Sequence, residues 1–279
     1  MKHIIVIPVY NDWKSLKKLL FNLNKCFAKI KKKSEILIVN DNSSQKTNLK
    51  KIKFNFLEKI KVLNLRKNVG SQIAIASGLM YLKRKSGNFI VTVMDADGED
   101  DPNQVSKMLK LAIKYPNYVI ASARLKREES KIIVLSYYVH LLMTFIFTLK
   151  WISFGNFTSF HKKNLSHLFL DNSSIFAHSS AVFKNCDIKR VFAKRKKRYF
   201  DKSKLGIFSL IEHSLRVNAV YINKIIFTSL IYILIILTLP TKFSLTLILP
   251  IIIFNFIVIY IRIKFNNKKL IYHLQKHFN

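Results

Sequence analysis

Two carboxylates lie close together after an apolar run in the first half of the chain. Asp95 and Asp97, one residue apart, follow residues 89–94, which are apolar and partly β-branched. Such a run predicts a buried parallel strand, and ligands bind at the carboxyl ends of strands in open α/β sheets. Carboxylate oxygens are preferred ligands of Mg²⁺ and Mn²⁺, whose other coordination positions remain for nucleotide phosphates. We therefore predict a Mg²⁺ or Mn²⁺ site at Asp97 and Asp95; an acidic surface loop is the alternative.

The surrounding charge supports a bound cation. Five of the fifteen acidic residues lie between positions 95 and 101, in a chain of 279 residues with a formal net charge of +33. Repulsion among these carboxylates has to be offset locally. The basic excess is mostly Lys, whereas Arg is preferred for recognition of phosphates and bases. We therefore expect the basic surface to face an anionic membrane, and we expect no nucleic-acid partner.

The two cysteines, Cys26 and Cys186, lie far apart and outside any Cys-x-x-Cys spacing. They indicate neither a zinc site nor a disulfide framework and are typical of a reducing compartment. No secretory signal precedes the first apolar run, which begins at Ile4. We expect most of the chain to stay in the cytoplasm. The sequence leaves open whether the chain forms homo-oligomers.

Apolar runs alternate with helical patterns as far as residue 123. The predicted strands are residues 4–10, 36–39, 61–65, 89–94 and 118–123, with helices after Asp12, after Gly70 and over residues 104–114. This alternation predicts an α/β layer with a mostly parallel sheet. The small residues Ala74, Ala76 and Gly78 predict that the second helix approaches the sheet closely.

Two further acids stand at predicted strand ends. Asp12 follows the first strand and either caps the next helix or faces a nucleotide. Asp41 follows the second strand and either accepts hydrogen bonds from a base or ribose or forms an Asx-turn. The local sequence leaves both alternatives open for each residue.

The C-terminal part carries the clearest membrane signal. Residues 225–239 and 243–261 are nearly charge-free runs, separated by a short turn that contains Lys242. The second run approaches the roughly 20 residues that cross a bilayer. The basic flanks place both ends in the cytoplasm. We therefore predict a multi-pass helical hairpin in the inner (cytoplasmic) membrane; a buried helical pair in a soluble domain is the alternative.

Another apolar stretch, residues 132–149, also raises the question of a span. If it crossed a bilayer, the basic residues 184–204 would lie on the far side, against the positive-inside tendency. We interpret the stretch as helical and either lying along the membrane face or packed on the domain. The basic run 194–204 is then expected to face lipid head groups or a lipid phosphate.

Six short motifs occur in a fixed order between residues 4 and 205. They are Ile-Pro-Val-Tyr-Asn-Asp at 7–12, Val-Asn-Asp-Asn-Ser at 39–43, Asn68-x-Gly70-x-Gln72-x-Ala74-x-x-x-Gly78, Asp95-Ala96-Asp97 with Asp100 and Pro102, Arg124-x-x-Arg127, and Arg198-x-x-Asp201-x-Ser203-Lys204. In order and spacing they resemble the family 2 glycosyltransferases with a GT-A fold. The branch that they resemble moves a sugar from a nucleotide to a polyprenyl phosphate, as dolichyl-phosphate mannose synthase and bactoprenol glucosyltransferase do.

The resemblance implies a role for each motif. The implied nucleotide-sugar site comprises Pro8, Tyr10, Asp12, Asp41, Asn68, Gly70, Gln72, Asp95, Ala96 and Ser203, with Asp97 and Asp95 at the metal. The implied catalytic residues are Asp97, Arg124, Arg127, Arg198 and Lys204, whose cationic members would surround the phosphates of donor and acceptor. Sugar transfer is expected to proceed by direct attack with inversion, without a covalent enzyme intermediate.

The resemblance also implies three parts of the chain. Residues 1–130 would form the nucleotide-sugar-binding half of a GT-A domain. Residues 131–218 would form the acceptor half, with interfacial helices and a basic juxtamembrane segment. Residues 219–279 would form two transmembrane helices and a short cytoplasmic tail.

Four positions depart from the family pattern. Asn40 replaces the first Asp of the usual Asp-Asp-Gly-Ser, and Asn42 replaces its Gly. Asp101 stands where a Pro is common. Asp201 replaces the Gly before Lys-Ser-Lys, which adds a negative charge where a phosphate should bind and restricts the backbone.

The distribution of acids bears on the acceptor. After Glu129 the chain contains only four of them, Asp171, Asp187, Asp201 and Glu212, well separated in sequence. A hydroxyl acceptor needs a positioned base, whereas a phosphate acceptor is already anionic at neutral pH. The sequence therefore favours a polyprenyl phosphate. The alternatives are transfer to a hydroxyl of a cell-surface glycan, and a degenerate membrane-associated binding protein without turnover.

Overall fold

The structure, a computed structural model, describes residues 1–45, 52–124, 131–193, 196–200, 206–238 and 241–265. These residues form two compact units. The first unit contains the described residues of 1–127 and 154–202. The second contains those of 128–153 and 203–273.

The first unit is built on a seven-stranded sheet. Its strands are β1 (Lys2–Val9), β2 (Ser34–Asn40), β3 (Leu57–Asn64), β4 (Phe89–Val93), β5 (Tyr118–Arg124), β6 (Phe154–His161) and β7 (Asp187–Ala193). The order across the sheet is β3-β2-β1-β4-β6-β5-β7. All neighbouring pairs are parallel except those of β6, which is antiparallel to β4 and β5. The prediction of a mostly parallel α/β sheet, with its first five strands, is confirmed.

Two strands, β6 and β7, were not predicted from the sequence. Near its start β6 carries Gly155 and Asn156, residue types that are depleted in strands. At the edge of the sheet, β7 carries Lys189 and Arg190 and lacks a continuous apolar run. Both strands therefore form because of their neighbours in the sheet rather than because of a strong local pattern.

Helices pack on the sheet of the first unit. They are α1 (Trp13–Lys29), α2 (Ser71–Arg84), α3 (Pro102–Lys114), α5 (Asn164–Leu168), α6 (Ser173–Phe176) and α7 (His178–Asn185). In α1, four leucines at helical spacing are fully buried, namely Leu16, Leu19, Leu20 and Leu23. This apolar stripe fixes α1 on the sheet, and with it the position of Asp12, the residue that caps the helix.

The predicted close approach of α2 to the sheet is confirmed at Gly78. A Cβ atom at that position would lie 2.8 Å from side-chain methyl groups of both Val6 in β1 and Val39 in β2. Only glycine allows this separation, so the small residue sets the distance between α2 and the sheet.

The second unit consists of helices in the part that the structure describes. They are α4 (Lys131–Thr148), α8 (Ile207–Ala219), α9 (Ile222–Ile236) and α10 (Thr241–Phe265). The ring of Phe147 in α4 stacks on that of Phe254 in α10, with centroids 4.4 Å apart. The hydroxyl of Thr228 in α9 donates to the carbonyl of Phe147. Apolar packing and buried side-chain to backbone hydrogen bonds thus join the helices of this unit.

The predicted pair of spanning helices is corrected to one candidate span. Among the described residues, one helix, Ser244–Phe265 with 22 residues, is long and apolar enough to cross a membrane, and little of it is buried. Helix α9 has only 15 residues. It reaches the length of a span only if it continues α8, from which it is bent by 85°. The first apolar run is therefore too short, as a straight helix, for the predicted hairpin.

The apolar stretch at 132–149 forms the single helix α4. Its hydrogen bonds with α9 hold it within the second unit, and an apolar row that includes Leu135, Val139 and Leu142 is more than half exposed. Its apolar part, Val134–Thr148, is shorter than a span.

Candidate active site

Three groups of predicted acidic residues lie at one edge of the sheet. Strands β1, β2 and β4 are parallel neighbours, so their carboxyl ends lie side by side. Asp12 follows β1 and Asp41 follows β2. Residues 95–101, here called the acidic turn, follow β4. This is the edge at which open α/β sheets bind ligands.

Asp12 caps the following helix, which is one of the two roles that the sequence left open. Its carboxylate caps α1 by accepting a hydrogen bond from the backbone N–H of Ser15, at 3.3 Å. Its second oxygen lies 3.9 Å from a guanidinium nitrogen of Arg198. The cap orients the carboxylate, which leaves it facing a cation at the sheet edge.

Asp41 is buried, with an exposure of 2%, and organises a neighbouring loop. Its two oxygens accept hydrogen bonds from the backbone N–H groups of Val69 and Gly70, at 2.8 and 2.9 Å. Gly70 has a φ of 83°, in the region that favours glycine, and it begins α2. Burial raises the pKa of Asp41, and the two hydrogen bonds oppose this shift. Asp41 therefore fixes the loop that carries Asn68 and Gly70.

Three of the departures from the family pattern fit the local geometry. Asn42 has a φ of 57°, a conformation that asparagine tolerates better than most residues. The side-chain oxygen of Asn40 accepts from the backbone N–H of Ser43, as an aspartate would. Asp101 caps α3 by accepting from the backbone N–H of Asn103, ahead of Pro102. Asp201 lies outside the described residues.

The acidic turn is held by its own backbone and by neighbouring lysine. Asp100 accepts from the backbone N–H of Asp95 at 2.9 Å, and Asp97 accepts from that of Glu99 at 3.0 Å. Asp101 forms an ion pair with Lys196 at 2.9 Å. Part of the local negative charge is thus offset by hydrogen bonds and a lysine of this chain.

The segment of residues 196–200 lies on the acidic turn. The backbone N–H of Lys196 donates to the carbonyl of Glu99, and that of Tyr199 donates to the carbonyl of Asp97, both at 2.9 Å. Between these two bonds, the guanidinium of Arg198 lies 3.3 Å from the carboxylate of Asp97. Arg198 therefore bridges Asp97 and Asp12, which come from the ends of two different strands.

The guanidinium of Arg198 retains a donor. Its Nε atom is buried and has no hydrogen-bond partner among the described residues. A buried donor without a partner costs roughly 1–3 kcal/mol, more for a charged group. An anionic ligand at the sheet edge would satisfy it, because guanidinium groups bind carboxylate and phosphate oxygens through several N–H groups.

The tyrosine next to Arg198 was missed by sequence reasoning. The hydroxyl of Tyr199 accepts a hydrogen bond from the side-chain amide of Asn22 in α1, at 2.7 Å. Burial raises the pKa of Tyr199. Its position beside Arg198 was the available signal, but its partners lie far away in sequence.

Gln72 and Asn156 connect α2 to the acidic turn through β6. Gln72 is buried, with an exposure of 4%, and its amide nitrogen donates to the side-chain oxygen of Asn156 at 3.2 Å. The amide nitrogen of Asn156 in turn donates to Asp95 at 3.4 Å. Asn156 was missed because β6 itself was not predicted.

The other predicted site residues are placed as follows. Pro8 lies in β1 opposite Val39, Tyr10 is 49% exposed just after that strand, and Asn68 is exposed. Ala96 is buried between the two acids of the turn. Arg124 ends β5, but its side chain lies outside the described part of the chain, as do Arg127, Ser203 and Lys204.

The donor set at Asp95 and Asp97 suits a divalent metal shared with a ligand. Among the described residues, no three His, Cys, Asp or Glu side chains gather as a complete metal-binding group. Asp97 accepts a hydrogen bond from the backbone N–H of Glu99 and forms an ion pair with Arg198. Two hard-oxygen side chains fit Mg²⁺ or Mn²⁺, which keep positions for water and phosphate.

This site lies in a chain that belongs to glycosyl transferase family 2. The model of that family, described as "Glycosyl transferase family 2", matches residues 4–184. The match includes the sheet edge formed by β1, β2 and β4 and therefore the acidic turn. It confirms the family that the motifs resembled.

Curated relatives of the chain are themselves uncharacterized glycosyltransferases. The chain is 32% identical over 127 residues to sll0501 of Synechocystis sp., which covers 45% of this chain and 39% of the relative. It is 30% identical over 129 residues to YkcC of Bacillus subtilis, which covers 46% of this chain and 38% of the relative. The chain thus matches about two fifths of the length of these relatives.

Solved structures show the same fold. Glucosyl-3-phosphoglycerate synthase from Mycobacterium tuberculosis, in complex with Mn²⁺, UDP-glucose and phosphoglyceric acid, gives a TM-score of 0.52 at 13% identity, over 80% of this chain and 79% of that one. TarS 1-349 of S. aureus in complex with UDP-GlcNAc gives 0.47 at 19% identity, over 80% and 66%. With the family match, the first likeness identifies the sheet as that of the GT-A fold.

Proposed function

We propose that this protein transfers a sugar from a nucleotide-sugar donor to a polyprenyl phosphate at the cytoplasmic face of a membrane. The observation that carries the proposal is the bridge of Asp12, Arg198 and Asp97 at the carboxyl edge of the sheet. It places one guanidinium between two carboxylates where the fold binds nucleotides. Membership of glycosyl transferase family 2 supports the same reaction class.

The donor diphosphate would bind at this bridge. Arg198 has a buried N–H without a partner in the described chain, and a phosphate oxygen would accept from it. Asp97 and Asp95 would hold Mg²⁺ or Mn²⁺, which supplies charge neutralisation of the leaving diphosphate when bound. Glucosyl-3-phosphoglycerate synthase from Mycobacterium tuberculosis, which shares this fold, has been crystallised with Mn²⁺ and UDP.

The base and ribose would lie against the ends of β1 and β2. Tyr10 presents an exposed ring after β1, and Asp12 and Asp41 follow the two strands. The loop with Asn68 and Gly70, fixed by Asp41, would form the adjoining wall. Arg124, Arg127, Ser203 and Lys204 complete the proposed phosphate-binding set.

The pairing of two acids in the C-terminal half of the chain supports a phosphate acceptor. Asp171 forms an ion pair with Lys184, and Glu212 forms one with Lys264, each at 2.6 Å. Each of these two carboxylates is thus engaged by a lysine of the same chain. A phosphate monoester, with a second pKa of about 6, needs no base. Its oxygen would attack the anomeric carbon as the bond to the diphosphate oxygen breaks, which inverts the configuration and releases the nucleoside diphosphate.

Membrane association is supported by the second unit. Helix α10 has the length and composition of a span, and α4, α8 and α9 expose large apolar side chains. We place the transferase domain on the cytoplasmic side, where nucleotide-sugars occur; with α10 as the single span, the residues after it would lie on the opposite side.

The test is a panel of radiolabelled sugar nucleotides, incubated with membranes that contain the protein and a short polyprenyl phosphate. An acid-labile lipid product with release of nucleoside diphosphate is expected. A product stable to acid would indicate a hydroxyl of a glycan as the acceptor. Absence of nucleoside diphosphate release from every donor would indicate a binding protein without turnover.

A further inference from the structure

Asn156, near the start of β6, touches the acidic turn from a strand outside the predicted motifs. Its side-chain nitrogen lies 3.4 Å from an oxygen of Asp95. We infer that Asn156 is a positioning residue, oriented by Gln72 and His178, that fixes the carboxylate of Asp95 for the metal and donor. This inference rests on the proposed function, because it assigns a task to Asp95 in that site.

The backbone N–H of His178 sets the direction of the hydrogen bonds that run through Gln72 to Asn156. The backbone N–H of His178 can only donate, and it donates to the side-chain oxygen of Gln72 at 2.8 Å. The amide nitrogen of Gln72 therefore faces Asn156 and donates to its oxygen at 3.2 Å. With its oxygen used, Asn156 can present only its nitrogen to Asp95.

A second route from His178 holds the backbone of Asn156. The carbonyl of Asn156 can only accept, and it accepts from the hydroxyl of Thr158 at 3.3 Å. The oxygen of Thr158 then accepts from Nε2 of His178, at 2.7 Å. Burial lowers the pKa of His178 to about 4, so the ring is neutral and carries its proton on Nε2. Its Nδ1 has no partner among the described residues, as this tautomer allows.

His178, Gln72, Asn156 and Thr158 thus form a closed ring of hydrogen bonds. All four are buried or nearly so, and they belong to α7, α2 and β6 of the first unit. A ring of this kind leaves the amide of Asn156 one orientation, with a donor toward Asp95. Residues that orient metal-binding carboxylates typically change metal affinity or activity about 10–100-fold when replaced.

This assignment gives Gln72 a task distinct from the one that the motif implied. The oxygen and the nitrogen of its side-chain amide each form a hydrogen bond with a protein group, and the side chain is buried. Gln72 acts on the donor site through Asn156 and Asp95. Its effect on the metal therefore depends on Asn156 being present.

The test measures Mn²⁺ binding in the presence of UDP, by electron paramagnetic resonance on the full chain in detergent. Asn156→Ala should raise the Kd for Mn²⁺ about 10-fold. Asn156→Leu keeps the approximate size but removes the donor without adding a charge, so it should weaken binding about as much. Gln72→Glu should weaken Mn²⁺ binding when Asn156 is present and add nothing in the Asn156→Ala background.

Asn164→Ala is the matched control. Asn164 is another buried amide of the first unit, and it bonds to the carbonyls of Pro116 and His161. It should leave the Kd for Mn²⁺ unchanged while its thermal unfolding reports the cost of losing a buried amide. Unchanged Mn²⁺ binding in folded Asn156→Leu, or additive effects of the two changes, would overturn the inference and leave the proposed function intact. If the wild-type chain binds neither UDP nor Mn²⁺, the proposed function fails, and this inference fails with it.

Discussion

The ring of Tyr199 lies against Gly98, in the turn that carries Asp97. A Cβ atom at position 98 would lie 2.4 Å from the ring, which no side chain could accommodate. Gly98 also has a φ of 87°, in the region that favours glycine. The contact, with the backbone bond from Tyr199 to Asp97, docks the segment of residues 196–200 on the acidic turn. Arg198 reaches Asp97 and Asp12 because its neighbour is held in this way.

Gly98→Ala should therefore displace Tyr199 and, with it, Arg198. The backbone strain and the clash together should lower the free energy of unfolding by about 2–4 kcal/mol. The displaced guanidinium should also weaken UDP binding, measured by isothermal titration calorimetry in the presence of Mn²⁺.

Gly87→Ala separates these two effects. Gly87 has a φ of 83°, but a Cβ atom there would have no neighbour within 4 Å. Gly87→Ala should therefore lower the free energy of unfolding by about 1–2 kcal/mol, through backbone strain alone, and leave UDP binding unchanged. Equal loss of UDP affinity in both variants would mean that the contact of Tyr199 with Gly98 does not position Arg198.

Arg198→Lys should reduce UDP affinity although it preserves the charge. The planar guanidinium of arginine spans Asp97 and Asp12 and still presents a third donor to a ligand. Lysine has no such fork. Loss of one hydrogen bond to a charged group corresponds to about 1.5–3 kcal/mol, or a Kd increase of roughly 10- to 150-fold. Arg190→Lys in the edge strand β7 is the control and should bind UDP like the wild type. Wild-type affinity in the Arg198 variant would remove Arg198 from the diphosphate site.

Asp41→Asn should loosen the loop ahead of α2. The side chain accepts from two backbone N–H groups, those of Val69 and Gly70, and an asparagine can accept from only one side. Leaving a buried donor without a partner costs about 1–3 kcal/mol. Faster amide hydrogen exchange is expected over residues 66–72. Asn24→Asp, which keeps the acceptor for the backbone N–H of Phe56, should leave exchange over residues 66–72 unchanged. Protection equal to the wild type in Asp41→Asn would contradict the anchoring role.

The sequence was sufficient to predict the strand ends that carry chemistry. Each of β1, β2 and β4 is a continuous apolar run that stops at polar residues, so Asp12, Asp41 and Asp95 could be placed at one edge without coordinates. The close approach of α2 to the sheet at Gly78 could also be predicted, because a small residue in an apolar helix indicates close packing. These signals are local in sequence and strong in composition.

The remaining features depend on contacts between distant segments. Strand β6 contains Gly155 and Asn156 and is stabilised by pairing with β4 and β5 on either side. The contact of Tyr199 with Gly98 and the link from Gln72 to Asn156 join residues far apart in the chain, and no spacing rule predicts them. The prediction of a spanning hairpin was wrong for a related reason: apolar composition does not reveal the 85° bend between α8 and α9, which leaves α9 with only 15 residues as a straight helix.

The buried row of side chains across β2, β1, β4 and β6 predicts a pH dependence of stability. His3 is buried, and its ring bonds to Ser34 on one side and to Thr92 on the other, which in turn bonds to Ser159. Burial, assisted by Lys32, lowers the pKa of His3 to about 3 from its ordinary 6.5. The folded protein therefore keeps this ring neutral at pH values where the unfolded chain protonates it.

Stability should fall as the pH drops below 6.5, because the unfolded state then binds more protons than the folded state. His3 alone should contribute a slope that approaches 1.4 kcal/mol per pH unit, continuing down to about pH 3. Urea unfolding in detergent between pH 6.5 and 5 measures this slope before most carboxylates titrate. His3→Gln, which retains a neutral donor and acceptor, should reduce the slope by the contribution of one proton, up to about 1.4 kcal/mol per pH unit. The matched control is His167→Gln, at an exposed position, which should leave this contribution of His3 in place. An unchanged slope in His3→Gln would show that His3 is not a source of the pH dependence.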